Sequence, residues 1–103
     1  MRRIFVYGIL QKEHSAESHG LTANMYRGKA SLYGFERTGL CHIKISENEN
    51  SKVIGDVWEV PNELEEELYR FEAGFGYDRQ RVNVMYEDNS YHTCIVYLLD
   101  WRE

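Results

Sequence analysis

A glutamate in an unfavourable position is the first candidate for chemistry in this sequence. Glu72 lies in the segment FEAGFGYDR, in the last turn of a predicted helix, where the negative end of the helix dipole disfavours an anion. Its apolar neighbours Phe71 and Phe75 would thin the water around its carboxylate. Both effects raise the pKa of a carboxyl group toward neutrality, as a general acid or base requires. The placement therefore favours catalysis over the alternative, a solvated surface acid, which describes most glutamates.

The second candidate is a glycine inside the apolar segment RIFVYGIL near the N-terminus. A strand that ends at Tyr7 and Gly8 and turns into Ile9 and Leu10 exposes successive backbone N–H groups without a strand partner. Such groups bind an oxyanion or a carboxylate when they face a cavity. Taken alone, the feature is better explained by an ordinary turn between a strand and a loop. A site is favoured only if the two segments meet.

The cysteines and histidines do not suggest a further site. Cys41 and Cys94 are far apart, lack C-x-x-C spacing and are predicted to be buried thiols in a reducing compartment. The scattered histidines are His14, His19, His42 and His92. No acid or cysteine completes a ligand set around them, so we expect no metal.

The elements that must position these segments are short strands around one helix. Apolar alternation predicts strands over RIFVYG, YRGKASLYGFER, CHIKIS, VIGDVWEV, RQRVNVMYE and YHTCIVYLL. In the first strand, Ile4 and Val6 share one face, and Phe5 and Tyr7 share the other. About six strands and one helix predict an α+β domain whose sheet curls or closes.

The helix is predicted from its start and stop signals. It begins at Pro61, where a missing N–H costs nothing, and ends at the glycines of AGFGY. Its predicted buried stripe is Leu64, Leu68 and Phe71. The segment LQKEHSAESHGLTANMY is predicted to be a loop with one short helix, and residues 87–90 to be a hairpin turn.

Composition limits the classes of function. The 103 residues fit one domain, residues 1–103, and 43% of them are hydrophobic, which is typical of a globular protein. The formal net charge of −5 and the lack of a basic cluster argue against nucleic-acid binding. Neither a long apolar span nor a signal peptide is recognisable, so we expect a cytoplasmic protein that does not bind membranes.

Four motifs in order carry a resemblance to a known family. VYGIL, VIGDVWEV, LYRFEAGFGYDRQRVNV and CIVY resemble the γ-glutamylcyclotransferase-like family, which includes AIG2-like and YtfP-like branches. The family pattern is V-Y-G-S/T-L, then G-x-V/L-W/Y-x-V/L, then L-D-x-x-E followed by Y-x-R. The resemblance covers nearly the whole chain. It implies a small closed or nearly closed mixed β-barrel with a helix that carries the catalytic glutamate.

The resemblance also implies the roles of individual residues. Glu72 matches the catalytic acid and base, and Tyr77 and Arg79 match the Y-x-R that shapes or braces the pocket. The substrate-binding turn matches Tyr7, Gly8, Ile9 and Leu10. The implied reaction cyclises a γ-glutamyl amide, a small-molecule substrate, to 5-oxoproline and releases an amine or amino acid without metal or cofactor.

Two departures from the pattern keep a second function open. Ile9 stands where the family has Ser or Thr, and Tyr69 stands where it has Asp. A catalytically silent module that binds a small ligand or a protein on the same scaffold is therefore the alternative. A purely structural protein would explain neither Glu72 nor Gly8. A homodimer is possible, because Tyr91, Tyr97 and Trp101 could cover a dimer face or instead close the barrel.

Overall fold

The computed structural model describes residues 1–8, 19–39 and 42–98. The strands within these ranges are β1 (Arg2–Val6), β2 (Tyr26–Tyr33), β3 (Phe35–Gly39), β4 (His42–Ile45), β5 (Lys52–Val60), β6 (Asp78–Tyr86) and β7 (Tyr91–Leu98). The helix α1 (Asn62–Ala73) joins β5 to β6, and a short 3-10 turn, Ala23–Met25, precedes β2. The expected loop upstream of that turn lies mostly outside the described residues.

Five of the strands close into a barrel in the order β1–β5–β2–β6–β7. Neighbours in this order are antiparallel, except that β1 and β7 run parallel and pair through Ile4 and Ile95. A ring with an odd number of strands cannot alternate direction all the way round, so closure requires a parallel pair. The closed mixed barrel predicted for this chain is confirmed.

The described residues contain seven strands where about six were predicted, because YRGKASLYGFER forms two strands. Gly34, at the break, has a φ of 82°, in the left-handed region that glycine adopts without a steric penalty. The chain turns there, so β2 stays in the barrel while β3 leaves it and pairs with β4 in a separate two-stranded sheet. The predicted turn at residues 87–90 is confirmed by the β6–β7 hairpin.

Strand β1 is buried on both faces, which explains its continuous apolar sequence. Phe5 and Tyr7 belong to a core cluster with inward side chains of the other barrel strands, such as Val57. Ile4 and Val6 belong to a second cluster, which includes the helix residue Leu68. The predicted division of the two faces of β1 is thus confirmed. The barrel has one core inside it and another beneath the helix.

The helix departs from its predicted burial pattern. Leu68 is buried as expected, whereas Leu64 and Phe71 are only partly buried. The side chain that completes the buried face is instead Glu65, which has no solvent exposure. Apolar spacing alone misses this residue, because burial of a carboxylate depends on partners from distant strands.

Further observations complete the comparison with the sequence. Cys94 is buried as predicted, and burial raises the pKa of its thiol to about 11. Cys41 lies outside the described residues. None of the helices in the described ranges has the length and apolar character needed to span a membrane.

Candidate functional site

A cavity of about 360 Å³ lies where the end of β1 meets the end of the helix. Its size is in the range of small-molecule sites. The bend after β1 and the segment FEAGFGY, which are more than 60 residues apart in sequence, both line it. Its described lining residues are Phe5, Val6, Tyr7, Gly8, His42, Phe71, Glu72, Phe75, Tyr77 and Tyr97.

Glu72 lies in the last turn of α1 and is the only carboxylate among the described lining residues. Its side chain is partly buried, and this burial raises the pKa of its carboxyl group. No described residue donates a hydrogen bond or forms an ion pair with that carboxylate. A carboxyl group with a raised pKa and without a fixed partner is suited to exchange protons with a bound molecule.

The bend after β1 is held from two sides. Tyr7 and Gly8 are buried beyond the last strand residue, Val6. The Tyr7 hydroxyl donates to the carbonyl oxygen of Tyr97, and Arg37 Nη1 donates to the carbonyl oxygen of Tyr7 at 2.6 Å. These bonds fix the backbone where it reaches the cavity. Ile9 and Leu10, which were predicted to continue the site, lie outside the described residues.

Tyr77 and Arg79 have different surroundings. Tyr77 lines the cavity, and its hydroxyl lies 3.2 Å from Nδ1 of His42. Arg79 is not among the lining residues; its Nη1 donates to Glu65 Oε1 at 2.8 Å, and its guanidinium stacks 4.1 Å from the centre of the Tyr69 ring. Arg79 therefore contacts the helix at Glu65, Glu66 and Tyr69, none of which is among the described residues that line the cavity.

Glu65, Tyr97 and His42 are residues of this region that sequence reasoning did not place there. Tyr97 is buried and lines the cavity. Its hydroxyl donates to Glu65 Oε2 at 2.7 Å. The sequence does predict that Glu65 and Glu72 share one helix face, because seven residues separate them, but it does not predict that Glu65 is buried.

Among the described lining residues, several aromatic side chains accompany a single acid. Most of its described lining is apolar or aromatic, and Phe75, with 66% of its surface exposed, lies at the helix end of the wall. No arginine or lysine is among the lining residues that the structure describes. Groups of three or more potential metal ligands are likewise absent from the described part of the chain. The arrangement is suited to proton transfer in poorly hydrated surroundings.

The fold has relatives among solved structures. YkqA from Bacillus subtilis matches with a TM-score of 0.79 and 21% identity, over 97% of this chain but only 36% of that one, so the chain spans about a third of its length. A protein described as gamma-glutamyl cyclotransferase matches with a TM-score of 0.73 and 21% identity, over 99% and 68% of the two chains. An AIG2-like protein from Mus musculus matches with a TM-score of 0.68 and 22% identity, over 95% of this chain and 76% of that one.

Sequence comparison agrees with the structural similarity. No match is found among curated proteins. The family described as "Gamma-glutamyl cyclotransferase, AIG2-like" matches residues 4–103, which is almost the entire chain and includes both segments that line the cavity. This protein therefore belongs to the gamma-glutamyl cyclotransferase, AIG2-like family.

Proposed function

We propose that this protein cyclises a γ-glutamyl amide to 5-oxoproline and releases an amine or amino acid, with Glu72 as the acid and base. The observation that carries the proposal is a partly buried carboxyl group with a raised pKa, in the same cavity as the bend at Gly8. Family membership supports the reaction class. The reaction requires neither a metal nor a redox cofactor, since it consists of proton transfer and acyl transfer.

In the first step, ionised Glu72 removes a proton from the α-ammonium group of the substrate. The free amine attacks the γ-carbonyl carbon of the same molecule, a C–N bond forms and the carbonyl oxygen becomes an oxyanion. The cavity accelerates this step by holding the flexible chain bent, so that the two reacting atoms are close. Backbone N–H groups of the bend at Tyr7–Leu10 stabilise the oxyanion.

In the second step, protonated Glu72 donates its proton to the departing nitrogen. The original amide C–N bond breaks, the carbonyl forms again, and Glu72 returns to its ionised state. Proton balance requires two transfers through Glu72. The proton taken from the α-ammonium goes to the departing nitrogen, and the second proton, which the ring nitrogen loses after its attack, goes to the released amine, which leaves as an ammonium ion. With no cation among the described lining residues, the α-carboxylate of the substrate also relies on backbone donors of the bend.

Substitution of Glu72 tests this proposal. Glu72→Gln keeps the size of the side chain but removes the base, so the release of 5-oxoproline should fall by at least about 100-fold. The measurement is chromatographic detection of 5-oxoproline from a panel of γ-glutamyl compounds. Glu67→Gln is the matched control, because Glu67 is exposed on the same helix and should retain the wild-type rate.

The alternative is a binding module on the same scaffold, which the replacement of Ser or Thr by Ile9 and the aromatic lining favour. A thermal-shift screen with γ-glutamyl compounds and small anions separates the two functions. Stabilisation by a ligand without any product would support the module and contradict the enzyme. Equal product release by Glu72→Gln and the wild type would contradict the role of Glu72.

We place the proposed activity in the cytoplasm. The buried free thiol of Cys94 is compatible with a reducing compartment. The proposed partner is the small-molecule substrate alone, without nucleic acid or membrane. We also propose that any homodimer uses the face around the exposed Tyr91 and not the buried Tyr97.

A further inference from the structure

Glu65 is a buried acid that the proposed reaction does not use. Its carboxylate has no solvent exposure and accepts hydrogen bonds from Arg2 and Arg79 at Oε1. The hydroxyl of Tyr97 donates to Oε2 at 2.7 Å. Three donors on one buried carboxylate compensate its lost hydration, and they come from three different strands, β1, β6 and β7.

The contact with Tyr97 leads directly to the cavity. The Tyr97 ring lines it, and the carbonyl oxygen of Tyr97 accepts the hydroxyl of Tyr7. Tyr7 in turn precedes Gly8 in the bend. A continuous chain of bonds therefore runs from the helix through Glu65 and Tyr97 to the bend that was assigned to substrate binding.

Glu65 and Glu72 lie on the same face of α1. Seven residues at about 100° each bring the second side chain to within about 20° of the first. The helix is rigid over this span, so an anchor at Glu65 also determines where Glu72 lies. Of the two carboxylates, one is fixed by three donors and the other has no partner among the described residues.

We propose that Glu65 is a positioning residue, which acts through Tyr97 to set the placement of Glu72 relative to the Tyr7–Gly8 bend. The expected effect on turnover rests on the proposed activity, whereas the expected placement of Glu72 does not. A purely stabilising role is a weak explanation, because a buried ion pair is often no more stabilising than well-packed apolar residues of the same volume.

Tyr97→Phe tests the link with the smallest change. It removes one hydroxyl and keeps the ring, so the fold should persist. Without this hydrogen bond between the helix and β7, and with Glu65 held by Arg2 and Arg79 alone, the helix should shift relative to the bend and Glu72 should gain water. We therefore expect the pKa of Glu72, followed by carbon-13 NMR of the assigned side-chain carboxyl, to fall toward the ordinary value of a glutamate. Tyr91→Phe, an exposed tyrosine on the same strand, is the matched control and should leave that pKa unchanged.

Turnover provides the functional measurement. In Tyr97→Phe, kcat for 5-oxoproline release should fall by about 10- to 100-fold, because a misplaced base affects the chemical step, while KM stays close to wild type. Glu65→Gln should change the NMR pKa and kcat in the same direction. If Glu65→Gln does not fold, the results for Tyr97→Phe alone test the positioning role of Glu65.

The outcomes separate this inference from the proposed function. An unchanged pKa of Glu72 in folded Tyr97→Phe overturns the inference, whatever Glu72→Gln does. A lower pKa supports the expected placement of Glu72 even if no γ-glutamyl compound is turned over, a result that would count against the enzyme alone. A change confined to KM would overturn the positioning role, because it would indicate a direct contact with substrate.

Discussion

Side chains of one type have different roles along a single helix. Arg2 and Arg79 hold the pKa of the Glu66 carboxyl below its ordinary value, whereas burial raises that of Glu72. The position of Glu72 could be predicted, because its helix end and its aromatic neighbours are local in sequence. The role of Glu65 could not, because its donors Arg2 and Tyr97 lie 63 and 32 residues away.

The raised pKa of Glu72 predicts a stability effect at the residue scale. Because its folded-state pKa is above its unfolded value, the native state loses stability as pH rises through that folded pKa. Glu72→Gln removes the buried charge and should therefore raise Tm at pH 7 to 8 relative to wild type. Scanning calorimetry from pH 4 to 8 measures the difference.

The same reasoning predicts how the stability difference between Glu72→Gln and the wild type changes at low pH. At or below pH 4, wild-type Glu72 is mostly protonated and neutral in the folded state, so the advantage of Glu72→Gln should shrink toward zero. Glu67→Gln should show no such pH-dependent gain, since Glu67 is exposed. A wild type more stable than Glu72→Gln at pH 8 would contradict the raised pKa.

At the scale of elements, alternation of apolar residues identified the barrel strands but not every boundary. The faces of β1 follow from sequence, since period-two alternation is a local property. The break between β2 and β3 does not, because Tyr33 and Phe35 fit a strand equally well and only the φ of Gly34 decides. The alternation of apolar residues also does not predict where two strands approach closely. Gly55 of β5 is the clearest example.

Gly55→Ala should strongly destabilise the barrel. A Cβ there would lie 2.3 Å from the carbonyl oxygen of Val6 and 2.8 Å from Cζ of Phe5, so strand β1 would have to shift. We expect a loss of about 3 kcal/mol in the free energy of unfolding. Urea denaturation followed by tryptophan fluorescence measures this loss.

Gly39→Ala is the control for that substitution. Among the described residues, its Cβ would meet only Cδ2 of His42, at an ordinary 3.6 Å. The expected change is below about 1 kcal/mol. Comparable losses in the two variants would show that the crowding between β1 and β5 is not the cause.

At the scale of the whole molecule, closure of the barrel depends on pairing between strands that lie far apart in the sequence. The barrel was expected from the family resemblance, but the strand order was not. In that order β1 lies between β5 and β7, both far from it in sequence. The number and order of strands around a ring follow from these long-range pairings, which alternation patterns leave undetermined.

Hydrogen exchange should divide the molecule into two parts. Amides of β1 and β5 in the barrel should exchange slowest, because these strands are paired on both sides and mostly buried. Amides of the β3–β4 sheet should exchange faster, since most of its side chains are partly or fully exposed. Hydrogen exchange followed by NMR at native pH measures the rate for each amide. Equal protection in the barrel and in the β3–β4 sheet would contradict this division.

The parallel seam between β1 and β7 also bears on how the protein is made. During synthesis β1 leaves the ribosome before the other barrel strands, yet one of its two neighbours, β7, is translated only after the helix and β6. Until then an apolar strand has an open edge, which is the feature that promotes association between nascent chains. The cavity is also incomplete until then, since Tyr97 of β7 is one of its lining residues. The site can consequently form only after β7 has emerged, and chaperone demand should be greatest just before that point.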